Sequence, residues 1–307
     1  MTDVAVVVPV YGNGPLVQAC LEALDRSAAR PAEIVVVDDA SVDDAAAPGR
    51  DRAGVTLITH EENRGFAASC NHGIAATRAP YVLLLNSDAR VAPETLSSLA
   101  QFLDAHDTHA AVAPRLLNPD GTTQHACMAF PRLRTALWFG TPLERWRPDA
   151  RELRRYFLRD FDHESERDVV QPPASCLLLR RSALDEVGSF DESLQVYFND
   201  VDLSLRLHLA GWRTRYLAGV VCSHEQGAST ELLPRRLLRW HVDRLAYYRK
   251  HHGVLAGFWV KACVTWTFLD HALRRLGCRV LRRKDRAPEL SGPFGPVVRD
   301  YFEFLDG

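Results

Sequence analysis

"VAVVVPVYGNGPLVQACLEALDRS", residues 4–27, decides the fold. Its first seven residues are apolar and mostly β-branched, as in a strand covered on both faces. After Gly12, Asn13 and Gly14 the apolar spacing changes. Leu16, Val17, Cys20, Leu21 and Leu24 share one face of a helix. A strand followed at once by an amphipathic helix is a βα unit, and the pattern recurs. "EIVVVDDAS" (33–41), "VTLITHEEN" (55–63) and "YVLLLNSDA" (81–89) read as the next three strands. "PETLSSLAQFLDAH" (93–106) reads as a helix with proline near its start. Strands alternating with helices of this length predict an α/β fold with a mostly parallel sheet flanked by helices.

Further along, "PPASCLLLRRSALDEVG" (172–188) predicts a strand and a short helix, and "NDVDLSLRLHLAGW" (199–212) a helix stopped near Gly211. "RTRYLAGVVCSH" (213–224) predicts a last strand, and beyond about residue 230 the pattern turns helical and basic. One α/β domain over 1–230 and a helical extension over 231–307 are therefore expected.

Composition narrows the function. The 307 residues are 47% hydrophobic and 25% charged, which is ordinary globular chemistry. A net charge of −2 gives no general affinity for polyanions, so no nucleic-acid partner is expected. Seven cysteines without a C-x-x-C spacing argue against a disulfide framework or zinc ribbon and fit a reducing cytoplasm. "MTDVAVVVPVYG" lacks the basic flank and cleavage site of a signal peptide. "VLAGFWVKACVTWTFLDHAL" (254–273) is the best membrane candidate, but Lys261 and Asp270 interrupt it.

In parallel α/β sheets, ligands bind beyond the carboxyl ends of the strands. Three polar clusters stand there: Pro9-Val10-Tyr11-Gly12-Asn13, Asp38-Asp39-Ala40-Ser41 and Asn86-Ser87-Asp88. Each alone reads equally as a turn or helix cap; together they would surround one crevice. Gly12 and Gly14 begin a G-x-G-x-x-G pattern, but Val17 holds the third place, and no G-K-S or G-K-T occurs. A dinucleotide fingerprint and a P-loop are thereby disfavoured. "ENRGFAASCNHGI" (62–74) sets Asn63, Arg64, Gly65 and Asn71 among small residues. It is either a helix end facing a phosphate or a capped turn. His224, at the end of the last strand, is either structural or, with Asp88, a metal ligand of mixed oxygen and nitrogen chemistry. Asp200 and Asp202 open the helix at 199 and are either caps or catalysts.

"VVVPVYGN", "IVVVDDASVDD", "ENRGFAASCNHG", "LLLNSDA" and "YFNDVDLSLRLHLAGW…H" occur in the order and spacing of the family 2 inverting glycosyltransferases. The resemblance covers roughly residues 4 to 230 and is strongest to the bacterial rhamnosyltransferase-like branch. It implies a GT-A fold, with a nucleotide-sugar half over about 1–115 and an acceptor half over about 116–230. It implies transfer from a nucleoside-diphosphate sugar, dTDP-rhamnose or another pyrimidine-nucleotide hexose, to a hydroxyl of a glycan or lipid-linked acceptor. Asp39 would bind the nucleotide base. Asp88, the last acid of the D-x-D motif, and His224 would bind a divalent ion, Mg²⁺ or Mn²⁺. Asp200 would be the catalytic base, which leaves Asp202 a structural helix acid. Pro9, Tyr11, Ser41, Asn63, Arg64, Gly65, Asn71, Asn86 and Ser87 would line the nucleotide site. The sequence departs from the pattern at Asn86, which replaces the first Asp of D-x-D, at Asn199, which replaces the Glu before Asp200, and at Ser69, where Gly is usual.

Two other classes share the sheet. A sugar-phosphate nucleotidyltransferase would carry cations in a Gly-rich loop after the first strand, and "YGNGPLVQAC" has none. A non-catalytic relative is favoured only by Asn199. Residues 237–286 combine Trp240, Tyr247, Tyr248, Trp259 and Trp266 with Arg274, Arg275, Arg279, Arg282, Arg283, Lys284 and Arg286. That mixture suits a helix lying on the inner face of the cell membrane; a packed helical cap or an oligomer contact is the alternative.

Overall fold

A computed structural model describes residues 3–50, 52–225, 235–280 and 294–306. The chain divides into two compact units, Met1–Phe130 with Phe157–Pro234, and Pro131–Tyr156 with Arg235–Gly307. The first unit opens with β1 (Val4–Val10), α1 (Gly14–Asp25), β2 (Glu33–Asp38), the single turn α2 (Ala47–Arg50) and β3 (Val55–Thr59). It continues with α3 (Phe66–Ala75), β4 (Tyr81–Leu85), β5 (Ala89–Val91), α4 (Thr95–Ala105) and β6 (His109–Leu117). The short helices α5 (Leu133–Trp138), α6 (Pro142–Trp146) and α7 (Arg151–Tyr156) belong to the second unit. The chain returns to the first through β7 (Arg167–Val169), β8 (Cys176–Arg180), α8 (Arg181–Val187), α9 (Asn199–Leu209) and β9 (Arg213–His224). The second unit resumes with α10 (Arg236–His252), α11 (Val254–Val280) and α12 (Phe294–Asp306).

Among the described residues the first unit holds a nine-stranded sheet in the order β3-β2-β1-β4-β8-β6-β9-β5, with β7 also on β9. The expected α/β sheet is there. It is parallel from β3 through β4 and mixed beyond, where β8 runs antiparallel to both β4 and β6. All seven residues of β1 are buried, as its unbroken apolar run requires. Strand alternation divides them between two cores. Val4, Val6, Val8 and Val10 pack with Val17, Leu21 and Leu24 of α1 and with Leu96, Leu99 and Leu103 of α4. Val7 faces the other way, toward Ala67, Cys70 and Ile74 of α3 and Leu203 and Leu207 of α9. β1 lies between β2 and β4, which puts the reversal of strand order at the sheet's centre. The carboxyl ends of β1, β2 and β4 meet there.

The second unit is helical. Arg244 of α10 is buried, donates from Nη2 to the carbonyl of Ala136 at 2.6 Å and lies 5.0 Å from the Trp240 ring centre. The Tyr248 hydroxyl donates to the carbonyl of Arg132 at 3.0 Å, which ties α10 to the start of α5. The two charges that interrupt the apolar run of α11 are both satisfied within this unit. Lys261 Nζ donates to the carbonyl of Leu305, and Asp270 takes both Nη groups of Arg145 at 3.0 and 3.1 Å. No helix among the described residues is long and apolar enough to cross a membrane. Arg282, Arg283, Lys284 and Arg286 lie outside the described residues.

Candidate functional site

The reversal point of the sheet opens into a cavity of about 440 Å³. Pro9, Val10 and Tyr11 line it from the end of β1, Asp39 from the end of β2, and Asn86, Ser87 and Asp88 from the end of β4. Asn63 and Gly65 enter from the turn before α3, Asp200 from the start of α9 and His224 from the end of β9. Three predicted residues stand behind the wall instead. Ser41 Oγ accepts the Gly12 N–H at 2.9 Å. The Arg64 guanidinium is held by Glu192 at 3.2 Å and His72 at 3.1 Å. Asn71 bonds both backbone groups of Phe190, each at 2.9 Å. Arg64 and Asn71 brace the loop at 189–195 and Ser41 braces the turn after β1, and none of the three lines the cavity.

The stretch at 62–74 was readable as a phosphate-facing helix end, and its amides have another occupant. The carboxylate of Asp39 accepts the N–H of Arg64 on Oδ1 and of Gly65 on Oδ2, each at 2.8 Å. Ala67 N–H goes to the Gln195 carbonyl at 3.1 Å. Asp39 Oδ1 also bonds His60 Nδ1 at 2.8 Å, and His60 Nε2 meets His72 Nδ1 at 2.8 Å. With both rings neutral, one hydrogen-bond direction satisfies every atom. Arg64 donates to His72, His72 to His60 and His60 to Asp39. This chain fixes the carboxylate plane of Asp39 and leaves one lone pair of Oδ2 for a ligand.

Asp200 sits in the first turn of α9, just after Phe198 in the left-handed region at φ 60°. That conformation is strained for a residue with a Cβ, and it turns the chain so that Asp200 faces the cavity. Burial raises its carboxyl above the ordinary aspartate value, partly offset by backbone N–H groups of Val201 and Ala174. Asn199, in place of a glutamate, is buried and donates to the Val196 carbonyl at 2.9 Å. Asp202 is fully buried and bonds Arg206 Nε at 2.8 Å. Arg206 in turn caps the carbonyls of Val187, Gly188 and Ser189. Asp202 therefore holds α9 against α8 and does not touch the cavity.

Asp88 and His224 come together across β5 and β9, with Oδ1 and Nε2 3.3 Å apart. Among the described residues no cluster of three His, Cys, Asp or Glu side chains forms, so this pair is two protein donors at most. The pair would fit a divalent ion as a partial ligand set. Asp88 Oδ1 is buried without a hydrogen-bond partner, as is Asn86 Oδ1 beside it. An oxygen and an imidazole nitrogen so placed would serve as two ligands of Mg²⁺ or Mn²⁺.

Sequence reasoning missed the walls from Pro173-Ala174-Ser175 and Val196-Tyr197-Phe198. Both are loop segments before buried elements, and only the proline pair at 172–173 marks the first.

A sheet parallel through its reversal point, with a polar crevice there bounded by carboxylates, is the architecture of the GT-A class. The fold matches a crystal structure of GalNAc-T7 with UDP, GalNAc and Mn²⁺ at a TM-score of 0.56. The identity is 15%, over 80% of this chain and 48% of that one. Residues 5–188 match the glycosyl transferase family 2 model, and the chain belongs to that family as a glycosyltransferase. It is 28% identical to an N-acetylglucosaminyl-diphospho-decaprenol L-rhamnosyltransferase of Mycobacterium tuberculosis (strain CDC 1551 / Oshkosh), over 92% of this chain and 97% of that protein. It is also 29% identical to a pre-mycofactocin glycosyltransferase of the same organism, over 80% of this chain and 46% of that protein.

Proposed function

We propose that this glycosyltransferase moves a sugar, with inversion, from a pyrimidine nucleoside-diphosphate sugar to a hydroxyl of a lipid-linked or glycan acceptor. The observation that carries the reading is the convergence of Asp39, Asp88, His224 and Asp200 on one cavity. Asp39 Oδ2 accepts the ring imide N–H of uracil or thymine with its remaining lone pair, and a site built around that bond disfavours bases without it. Asp88 and His224 would hold the divalent ion, which would supply Lewis-acid stabilisation of the departing diphosphate. Asp200 takes the proton of the acceptor hydroxyl as that oxygen attacks the sugar carbon opposite the leaving group. A carboxyl raised by burial is the better proton acceptor.

The Mycobacterium rhamnosyltransferase is named for a polyprenyl-diphosphate-linked acceptor. The same acceptor class suits the present chain if the second unit rests on a membrane at its cytoplasmic face. α11 supports that placement, with Leu255, Phe258, Leu269, Leu273 and Leu276 all exposed. The deciding experiment is a donor panel assayed for nucleoside-diphosphate release, with membrane lipid extract as acceptor source. Release from dTDP-rhamnose or a UDP-hexose that depends on the extract is expected. A clear preference for a GDP-sugar, or no release from any donor, would overturn the assignment.

A further inference from the structure

Gln124 makes two hydrogen bonds to one residue. Its Nε2 donates to the backbone carbonyl of His224 at 2.7 Å, and its Oε1 lies 3.0 Å from His224 Nδ1. Its own backbone is fixed where the chain doubles back after β6. Gln124 N–H bonds the Leu116 carbonyl at 2.8 Å, and Leu117 bridges Thr123. β6 in turn runs beside β9, with Leu117 opposite Ser223. The amide thus reaches His224 from a rigid neighbour, and it is buried.

The pair of bonds forces a tautomer. A backbone carbonyl only accepts, so the Gln124 NH₂ must face it, and Oε1 must face the imidazole. Oε1 only accepts, so the proton of a neutral His224 lies on Nδ1. Nε2 is then left with a lone pair, 3.3 Å from Asp88 Oδ1 and with the Asn86 amide nitrogen as a long donor contact at 3.5 Å. Among the described residues Asp88 Oδ1 has no hydrogen-bond donor. Two acceptors facing each other in a buried place, with no closer donor between them among the described residues, are satisfied by a cation.

We propose that Gln124 is a positioning residue that holds His224 in the Nδ1–H tautomer, with Nε2 presented to the divalent ion. The assignment rests on the metal reading of Asp88 and His224 given above. Partners of this kind act through the ligand they orient, by fixing ring direction and protonation site.

The test uses the full chain, Mn²⁺ and saturating UDP, with free Mn²⁺ counted by electron paramagnetic resonance. Gln124→Leu keeps the volume and removes both bonds; Gln124→Glu keeps the acceptor for Nδ1–H; His224→Ala removes the ligand. Mn²⁺ affinity should fall about 10- to 100-fold in Gln124→Leu and stay within about threefold of the parent in Gln124→Glu. In parallel, ¹⁵N shifts of the His224 ring, taken without metal at alkaline pH, should show Nδ1–H in the parent and a gain of Nε2–H in Gln124→Leu. An Nε2–H ring in the parent overturns the proposal. So does parent-like Mn²⁺ affinity in Gln124→Leu while His224→Ala has lost it. Parent-like affinity in His224→Ala brings down the metal assignment itself, and this proposal with it.

Discussion

Asp200 and Asp202 stand two residues apart on one helix and have opposite surroundings. Asp202 is enclosed and matched by Arg206 at 2.8 Å; Asp200 is enclosed by cavity walls, with backbone N–H groups as its partners among the described residues. Asp200→Asn should therefore cut transfer by about 10²- to 10⁴-fold while donor affinity stays near the parent value, as expected for loss of a general base. Turnover assays beside calorimetric titration of the nucleotide check this, and near-parent turnover would remove Asp200 from the mechanism. The acid limb of the parent's pH–rate profile should fall above the ordinary aspartate range, because burial raises this carboxyl. The same shift fixes a stability sign. With its folded value above its unfolded one, Asp200 stabilises the fold at low pH, and that contribution is lost as pH rises through the folded value. At neutral pH the buried charge is a cost, so Asp200→Asn should melt no lower than the parent there. Its advantage should shrink on acidification. Asp39 behaves differently, since its charge is matched by two amides and His60. Asp39→Asn sets an NH₂ group against those donors. It should weaken UDP binding by about 1–3 kcal/mol, the cost of leaving buried polar groups unsatisfied. Tighter calorimetric binding of GDP than of UDP or TDP to the parent would refute the base-reading role.

The turn leading into helix α3 carries the amides that cradle Asp39, and the helix's seat on the sheet depends on one missing side chain. A Cβ at Gly73 would lie 2.2 Å from Val7 Cγ1, and Val7 is fully buried in the central strand. A β-branched side chain in a strand has little freedom to turn aside. Gly73→Ala should thus lift α3 off the sheet at a cost of about 1–3 kcal/mol, the usual penalty of overpacking. Chemical denaturation measures the cost, and nucleotide affinity should drop with it because the cradle moves. Unchanged stability would show that α3 is not seated as described. At this scale the sequence was most legible where one element's own pattern suffices. The valine run of β1 and the helical spacing of α1 need no partner to be read. The mixed part of the sheet was less legible, because strand direction around β8 is set by the chain's path rather than by residues 176–180. Arg64 and Asn71 looked ligand-facing because they are polar among small residues. Their partners, Glu192 and Phe190, lie more than a hundred positions away, where no local signal points. Gln124 gave no signal at all, since a glutamine after a turn is ordinary until β9 is placed beside it.

The second unit poses a problem of covering two apolar faces. At 100° per residue, Leu255, Phe258, Leu269, Leu273 and Leu276 fall within about 60° of one another around α11, along about 30 Å of its length. Ala256, Val260, Cys263 and Val264 fall on the far side and are buried in the unit. The leucines and phenylalanine are instead 53% to 82% exposed. An exposed apolar stripe of this length, with Arg274 and Arg275 beside its end and further cations following in the sequence, has the chemistry of a helix lying in a bilayer interface. The satisfied charges of Lys261 and Asp270 do not oppose this, because each is turned to a partner within the unit. Electrostatic attraction adds on the order of 1 kcal/mol for each cation near an anionic surface and fades with salt. The intact chain should therefore co-sediment with phosphatidylglycerol-containing liposomes at low salt, and less so with neutral ones or at high salt. A double change, Leu255→Glu with Leu273→Glu, alters exposed positions only and should leave melting and nucleotide binding unchanged. It should nevertheless release the protein from the vesicles and slow transfer to a lipid-linked acceptor far more than to a water-soluble one. Equal sedimentation of parent and double variant, or none by the parent at low salt, would take the membrane away as the partner of this face and leave a second copy of the chain as the occupant to test by sedimentation velocity.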